Sequence, residues 1–173
     1  NMSFWWPTYS YQIEEAIQYA KDKWVLVVAS AWNYWTDNDV SSLYPSSYNL
    51  ENIISVSSLD ESKEDLAYFS NYWKQSVDIA TLWTNLVSSK VWWGSWEYHW
   101  TSFSAPIISG IWGRILNWNW RYNEVKENIF DLSVSSPALF EKIDEGRKIV
   151  SLGNAENVDD WSGEEEDDEN YKK

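Results

Sequence analysis

The chain has 173 residues, room for one domain or at most two, and its 27 Asp and Glu against 13 Lys and Arg leave a formal charge of −14. Such a surface repels phosphate backbones, so no nucleic-acid partner is expected, and no apolar run is long enough to span a bilayer. Without cysteine and with His99 as the only histidine, the chain holds no disulfide, thiolate site or histidine-rich metal site.

The chain opens on Asn1 with no charged-then-apolar leader, and it reads as a piece of something longer. Met2 to Trp6 is a short, mostly apolar run followed by a turn at Pro7–Ser10. Ile13, Ala16, Ile17 and Ala20 recur at helical spacing and predict an amphipathic helix over 11–23. Val25 to Ala29 is a continuous apolar run, the pattern of a strand covered on both faces, and helix followed by buried strand suggests half of a parallel βαβ unit. Residues 32–50 read as a loop, 52–57 as a second core strand, 58–64 as a turn and 76–80 as another strand. Ala105 to Leu116 predicts a buried helix and Arg121 to Phe130 a second one with a narrower apolar face. From Ala155 onward nine acidic residues and two lysines predict a solvated, disordered tail. There is no internal repeat.

The segment Trp100-Thr101-Ser102-Phe103-Ser104-Ala105-Pro106 places a serine at the opening of the isoleucine-rich helix. Backbone N–H groups and the positive end of the helix dipole lie beside such a serine and can stabilise an oxyanion; the plainer role for it is an N-cap. The segment resembles the nucleophile motif of the subtilisin-like serine proteases, Gly-Thr-Ser-Met-(Ala/Ser)-Ala-Pro. Four further blocks in the family's order are similar to its patterns. Val27-Val28-Ala29-Ser30-Ala31-Trp32-Asn33 resembles its strand ending in Ala-Ala-Gly-Asn. Asn52-Ile53-Ile54-Ser55-Val56 resembles Asn-Ile-Ile-x-Val. Phe69-Ser70-Asn71-Tyr72-Trp73, continuing to Val77-Asp78-Ile79-Ala80, resembles Phe-Ser-Asn-Tyr-Gly and Val-Asp-Ile-Ala. Asn1-Met2-Ser3-Phe4-Trp5-Trp6 resembles Asn-x-Ser-(Leu/Phe)-Gly-Gly. Together they cover residues 1–130 or so, far more than one short motif.

The resemblance implies an α/β three-layer sandwich with a mainly parallel sheet, incomplete here: residues 1–154 as the C-terminal portion of the catalytic domain and 155–173 as the acidic tail. It implies a serine endopeptidase acting on polypeptides through an acyl-enzyme on Ser102, with Asn33 as the side-chain donor to the oxyanion. Ser3, Phe4 and Trp5 match the strand that pairs with the substrate backbone, and Ser30, Ala31 and Trp32 the floor of the specificity pocket. Leu82 stands where the family has proline and His99 where it usually has serine. In subtilisin the order is Asp, His, then Ser, and the blocks carrying the first two have no counterpart here, so the isolated chain is expected to be inactive. His99 reads as a solvated side chain, not the missing base. No cofactor is expected: calcium is common in the family, but Asp37-Asn38-Asp39 reads as a solvated loop cluster. A secreted or cell-surface protein is the expectation that follows.

Tryptophan carries the remaining oddity, with 15 Trp against 6 Gly where average chains hold about 7% glycine. Trp5, Trp6, Trp24, Trp32, Trp73, Trp83 and Trp100 stand where the resemblance puts glycine, which serves where φ is positive or a substrate backbone comes close. One codon, UGA, read as glycine in some bacteria and as tryptophan in an alternative table, would produce the pattern. The alternatives are a degenerate, non-catalytic protease-like domain and a Trp-rich carbohydrate-binding protein, the latter fitting a β-sandwich better than this α/β pattern.

Overall fold

The computed structural model describes residues 1–82, 86–89, 95–98, 100–115 and 121–150. The predicted acidic tail, Trp83 and His99 lie outside them. Helix α1, Tyr11–Asp22, starts where Ser10 accepts from the Ile13 N–H at 3.4 Å and turns its buried Ile17 inward. It is followed by β1, Val27–Ser30, then β2, Ile53–Ser58, and β3, Ile79–Thr81, every residue of which is buried. Strands β4, Leu86–Ser89, and β5, Ser95–Tyr98, form a separate antiparallel pair. Helices α2, Thr101–Ile115, and α3, Tyr122–Asp131, precede β6, Val134–Ser135, two short 3-10 turns, and β7, Arg147–Ile149.

The main sheet runs β1-β2-β3-β7-β6, parallel except for β6 against β7. The alternation of side chains along the strands sorts the core into layers. Val28, Ile54, Val56 and Ile79 face Ala105, Ile108 and Ile111 of α2 and Val125 and Ile129 of α3. Val27, Ala29 and Ile53 face Ile17 of α1 on the other side. Ile54, Val56, Ile79, Ile108 and Ile129 are fully buried, each side chain worth about 1.5–3 kcal/mol over exposure. The architecture is a mainly parallel α/β sandwich.

Outside β1, Met2 forms a parallel bridge to Ala29, its N–H on the Val28 carbonyl at 2.7 Å. The opening segment thus sits as a strand stub on the free side of β1. The expected strand over 76–80 begins only at Ile79. Ahead of it the Asp78 carboxylate receives the Ser55 N–H at 2.7 Å, and the Ser76 hydroxyl bonds Asp39, so side chains occupy the places a longer ladder would use. The β4–β5 hairpin and the β6–β7 pair are additions to the elements expected from sequence. Helix α2 begins at Thr101, four residues before the apolar run that predicted it.

Candidate active site

Strand β1 ends at Ser30, and its continuation, Ala31, Trp32 and Asn33, meets the first turn of α2 through two reciprocal bonds. The Thr101 N–H donates to Asn33 Oδ1 at 2.8 Å, and the Trp32 N–H donates to Thr101 Oγ1 at 3.1 Å. Thr101 is fully buried and its hydroxyl is committed to the loop. Ser102 therefore stands one residue from the carboxamide of Asn33, at the positive end of a 15-residue helix. With Oδ1 fixed on Thr101, the Asn33 amide nitrogen keeps both its hydrogens for an external acceptor, and no described residue takes them.

Pro106 shapes the same turn. Lacking an N–H, it cannot donate to the carbonyl four residues back, that of Ser102. The Ser3 hydroxyl fills that acceptor at 2.8 Å, joining the opening segment to the main chain of Ser102. One turn on, Ser104 is buried, its hydroxyl sharing a hydrogen bond with Ser58 at 2.9 Å and reaching the Leu82 carbonyl at 3.0 Å, so α2 is pinned to the ends of β2 and β3.

The loop that carries Asn33 is held by two buried amides. Asn71 accepts from the Tyr34 and Thr36 N–H groups at 2.7 and 3.3 Å and donates to Asn38 at 2.8 Å. Asn38 in turn donates to the Ala31 carbonyl at 2.9 Å, while the Asn71 N–H reaches the Trp32 carbonyl at 2.8 Å. Every residue of 31–36 except Trp35, whose N–H donates to the Phe69 carbonyl at 2.8 Å, is thereby tied to this pair or to Thr101. Asn71 appeared in the sequence only as part of a block, and Asn38 only as a loop polar residue; each is fully buried, which composition does not reveal.

The structure thus brings Ser102, Asn33, Ser3 and the 30–32 stretch together. Trp5 joins them through its ring contact with Trp32 at 5.3 Å, and both meet Tyr34. Phe4 is about half exposed. No imidazole or carboxylate among the described residues hydrogen-bonds Ser102. The groups with displaced pKa values lie elsewhere. The Lys21 ammonium and the Tyr122 hydroxyl hold the Glu51 carboxyl below its usual range, and Lys148 does the same for Glu64. Asp37 accepts from the Asp39 and Val40 N–H groups and Asp39 Oδ1 takes the Ser76 hydroxyl, while Asp39 Oδ2 is buried without a partner and Asn38 is fully buried, so the cluster expected to be solvated is drawn into the fold. Among the described residues no group of three or more acidic or histidine side chains could hold a metal ion. A polar cavity of about 420 Å³, lined by Asp39, Ser76, Asp78 and Lys126 among others, opens at the other end of the parallel strands.

A mainly parallel, doubly covered sheet with a serine at a helix tip beside a carboxamide is an arrangement suited to acyl transfer. The subtilase family model matches residues 1–143, and the chain belongs to the subtilase family, whose members are serine proteases. Solved structures agree on the fold. One described as the structural basis of subtilase cytotoxin SubAB assembly superposes with a TM-score of 0.75 at 20% identity, covering 86% of this chain and 54% of that one. The A-subunit of the AB5 toxin from E. coli gives 0.68 at 19%, covering 80% and 51%. The prenylagaramide maturation protease PagA gives 0.64 at 22%, covering 78% and 51%. The chain spans about half the length of these structures. No curated protein matches it in sequence.

Proposed function

We propose that residues 1–154 are the C-terminal portion of a subtilase catalytic domain, a serine endopeptidase that cleaves polypeptides through an acyl-enzyme on Ser102. The observation that carries this is the Thr101 N–H bond to Asn33 Oδ1, which fixes the Asn33 amide next to the nucleophile. In this reading the Ser102 Oγ attacks the scissile carbonyl, and its proton passes to a histidine oriented by an aspartate, both supplied by chain outside these residues. The oxyanion that forms meets the Ser102 N–H and the Asn33 amide nitrogen, donors already oriented before the substrate arrives. Ser3, Phe4 and Trp5 offer backbone to an extended peptide, and Ser30, Ala31 and position 32 floor the pocket for the residue before the cleaved bond. A secreted or cell-surface enzyme is part of the same reading.

A fluorophosphonate that labels activated serines tests it. The complete gene product is expected to be labelled at Ser102, with labelling lost in Ser102→Ala, while the 173-residue chain alone stays unlabelled. A non-catalytic protease-like domain is the second reading, favoured by the Trp32 indole packed at a tilt against Trp5 beside the site. A complete gene product that is folded yet never labelled would establish that reading and end the first.

A further inference from the structure

Six residues other than glycine have positive φ among the described residues, and four of them are tryptophan: Trp24 at 63°, Trp32 at 83°, Trp35 at 52° and Trp73 at 138°. Positive φ is uncommon outside glycine and is found there mostly in Asn and Asp; for a bulky side chain it is a real outlier. Aromatic size does not explain the selection, because no described phenylalanine or tyrosine shares it. Trp35 is notable because its place in the chain gave no reason to expect glycine.

The four indoles gain little that would offset the strain. Trp24 is half exposed, lying on Tyr122 and under Arg121, and Trp35 is 45% exposed. The Trp32 Nε1–H is buried with no acceptor, as is that of Trp112 in α2. A buried indole N–H normally finds a partner. Backbone strain, missing partners and the count of 15 Trp against 6 Gly point the same way.

We propose that the positions written as tryptophan are glycine in the protein its own cell makes, the two readings belonging to the codon UGA. The proposal stands on backbone conformation and does not depend on the protease reading. It raises the glycine content to about 12%, above the average of about 7% and in keeping with a loop-rich chain. Its functional consequence falls beside Ser102. With glycine at 5 and 32, the tilted ring contact at 5.3 Å disappears, the orphaned indole N–H goes with it, and the surface between Asn33 and Ser3 opens for a ligand. A protein expressed with tryptophan there would be blocked at its own site.

The experiment is peptide mass spectrometry of the protein isolated from its own organism, together with the codons of its gene. The expected result is UGA at all 15 positions, and peptides across 24, 32, 35 and 73 lighter by one methylindole group for each. UGG at the four positive-φ positions, or peptides carrying the tryptophan mass, overturns the proposal. A second measurement uses the complete gene product expressed with tryptophan. Trp73→Gly is expected to raise the unfolding midpoint while Tyr72→Gly lowers it, and a fall in both would count equally against glycine at 73.

A separate observation assigns a positioning role to Asn71, and this inference rests on the protease reading. Its carboxamide accepts from the backbone on both sides of Trp35 and holds Asn38, which holds Ala31, so one buried side chain sets the path of the loop bearing Asn33. Asn71 touches no substrate; it acts through Asn33. In the labelling reaction, Asn71→Leu is expected to lower the saturating rate at least tenfold with little change in the reversible binding constant. Asn71→Asp, which keeps the accepting oxygen but not the donor to Asn38, restores part of that rate. Equal losses in Leu and Asp, or a Leu variant that is folded and fully reactive, overturns the role. Loss of labelling in every form, including the parent, would instead overturn the protease reading.

Discussion

Replacing Ser3 by alanine removes the side-chain donor on the Ser102 carbonyl, and the cost can be worked from Pro106. In an uninterrupted helix residue 106 would donate to that oxygen; proline cannot, so the acceptor depends on the Ser3 hydroxyl at 2.8 Å. An acceptor left unpaired in the interior costs about 1–3 kcal/mol, and both serines are only half-buried, so water recovers part of it. We expect a loss of about 1 kcal/mol, or about 2–4 °C in Tm for a chain of 150–250 residues. Pro106 is exposed, and Pro106→Ala restores an N–H within reach of the same carbonyl without opening the core. In that background Ser3→Ala should cost almost nothing. A double-mutant cycle by urea unfolding of the complete gene product therefore yields a coupling of about 1 kcal/mol. Equal costs of Ser3→Ala in both backgrounds would refute the claim that the two residues share one acceptor.

Asn33→Ala should lower the fluorophosphonate reaction rate by about 10²–10³, a figure borrowed from subtilisin itself, and by orphaning the buried Thr101 N–H should also cost about 1–3 kcal/mol of stability in denaturant titrations. Asn52 is fully buried and donates to the Ile17 and Val25 carbonyls at 3.2 and 3.1 Å; Asn52→Leu orphans both and should cost about 1–3 kcal/mol in denaturant titrations. Lys148 lowers the pKa of Glu64, and Lys21 that of Glu51. At Asp60 burial pushes upward, but the Ser62 hydroxyl and the N–H groups of residues 63–65 outweigh it. Groups lowered on folding stabilise the protein above their unfolded pKa and lose that contribution as pH falls through the folded value. Stability should therefore decline below about pH 4.5, and Glu64→Gln should flatten the decline.

The elements that were legible in the sequence are those that bury a continuous or evenly spaced apolar face. Val25 to Ala29, Ile53 to Val56 and the isoleucines of α2 announce themselves by composition, and each appears within a few residues of its expected bounds. The pairs β6–β7 and β4–β5 were not legible: Val134–Ser135 is two residues long and exposed, too short to carry any alternation. The start of α2 was legible only from the serine segment, because Thr101 and Ser102 are polar and lie ahead of the apolar run that predicted the helix. Ser102 and Asn33 could be named by resemblance, yet nothing local says that Thr101 and Asn33, 68 apart in sequence, share a hydrogen bond. Asn71 and Asn38 were missed for the same reason. A buried carboxamide and a solvated one are spelled alike, and only the fold tells them apart.

The bond between Ser3 and Ser102 closes a separation of 99 residues, and that between Thr101 and Asn33 one of 68. Contacts so distant along the chain are slow to form, because a long loop must close before anything rewards it. The surroundings of Ser102 therefore come together late in folding: the helix tip can be helical early, but its serine is anchored only after the first residues of the segment have docked. Under the proposed protease reading, that ordering withholds a competent serine from a half-folded chain.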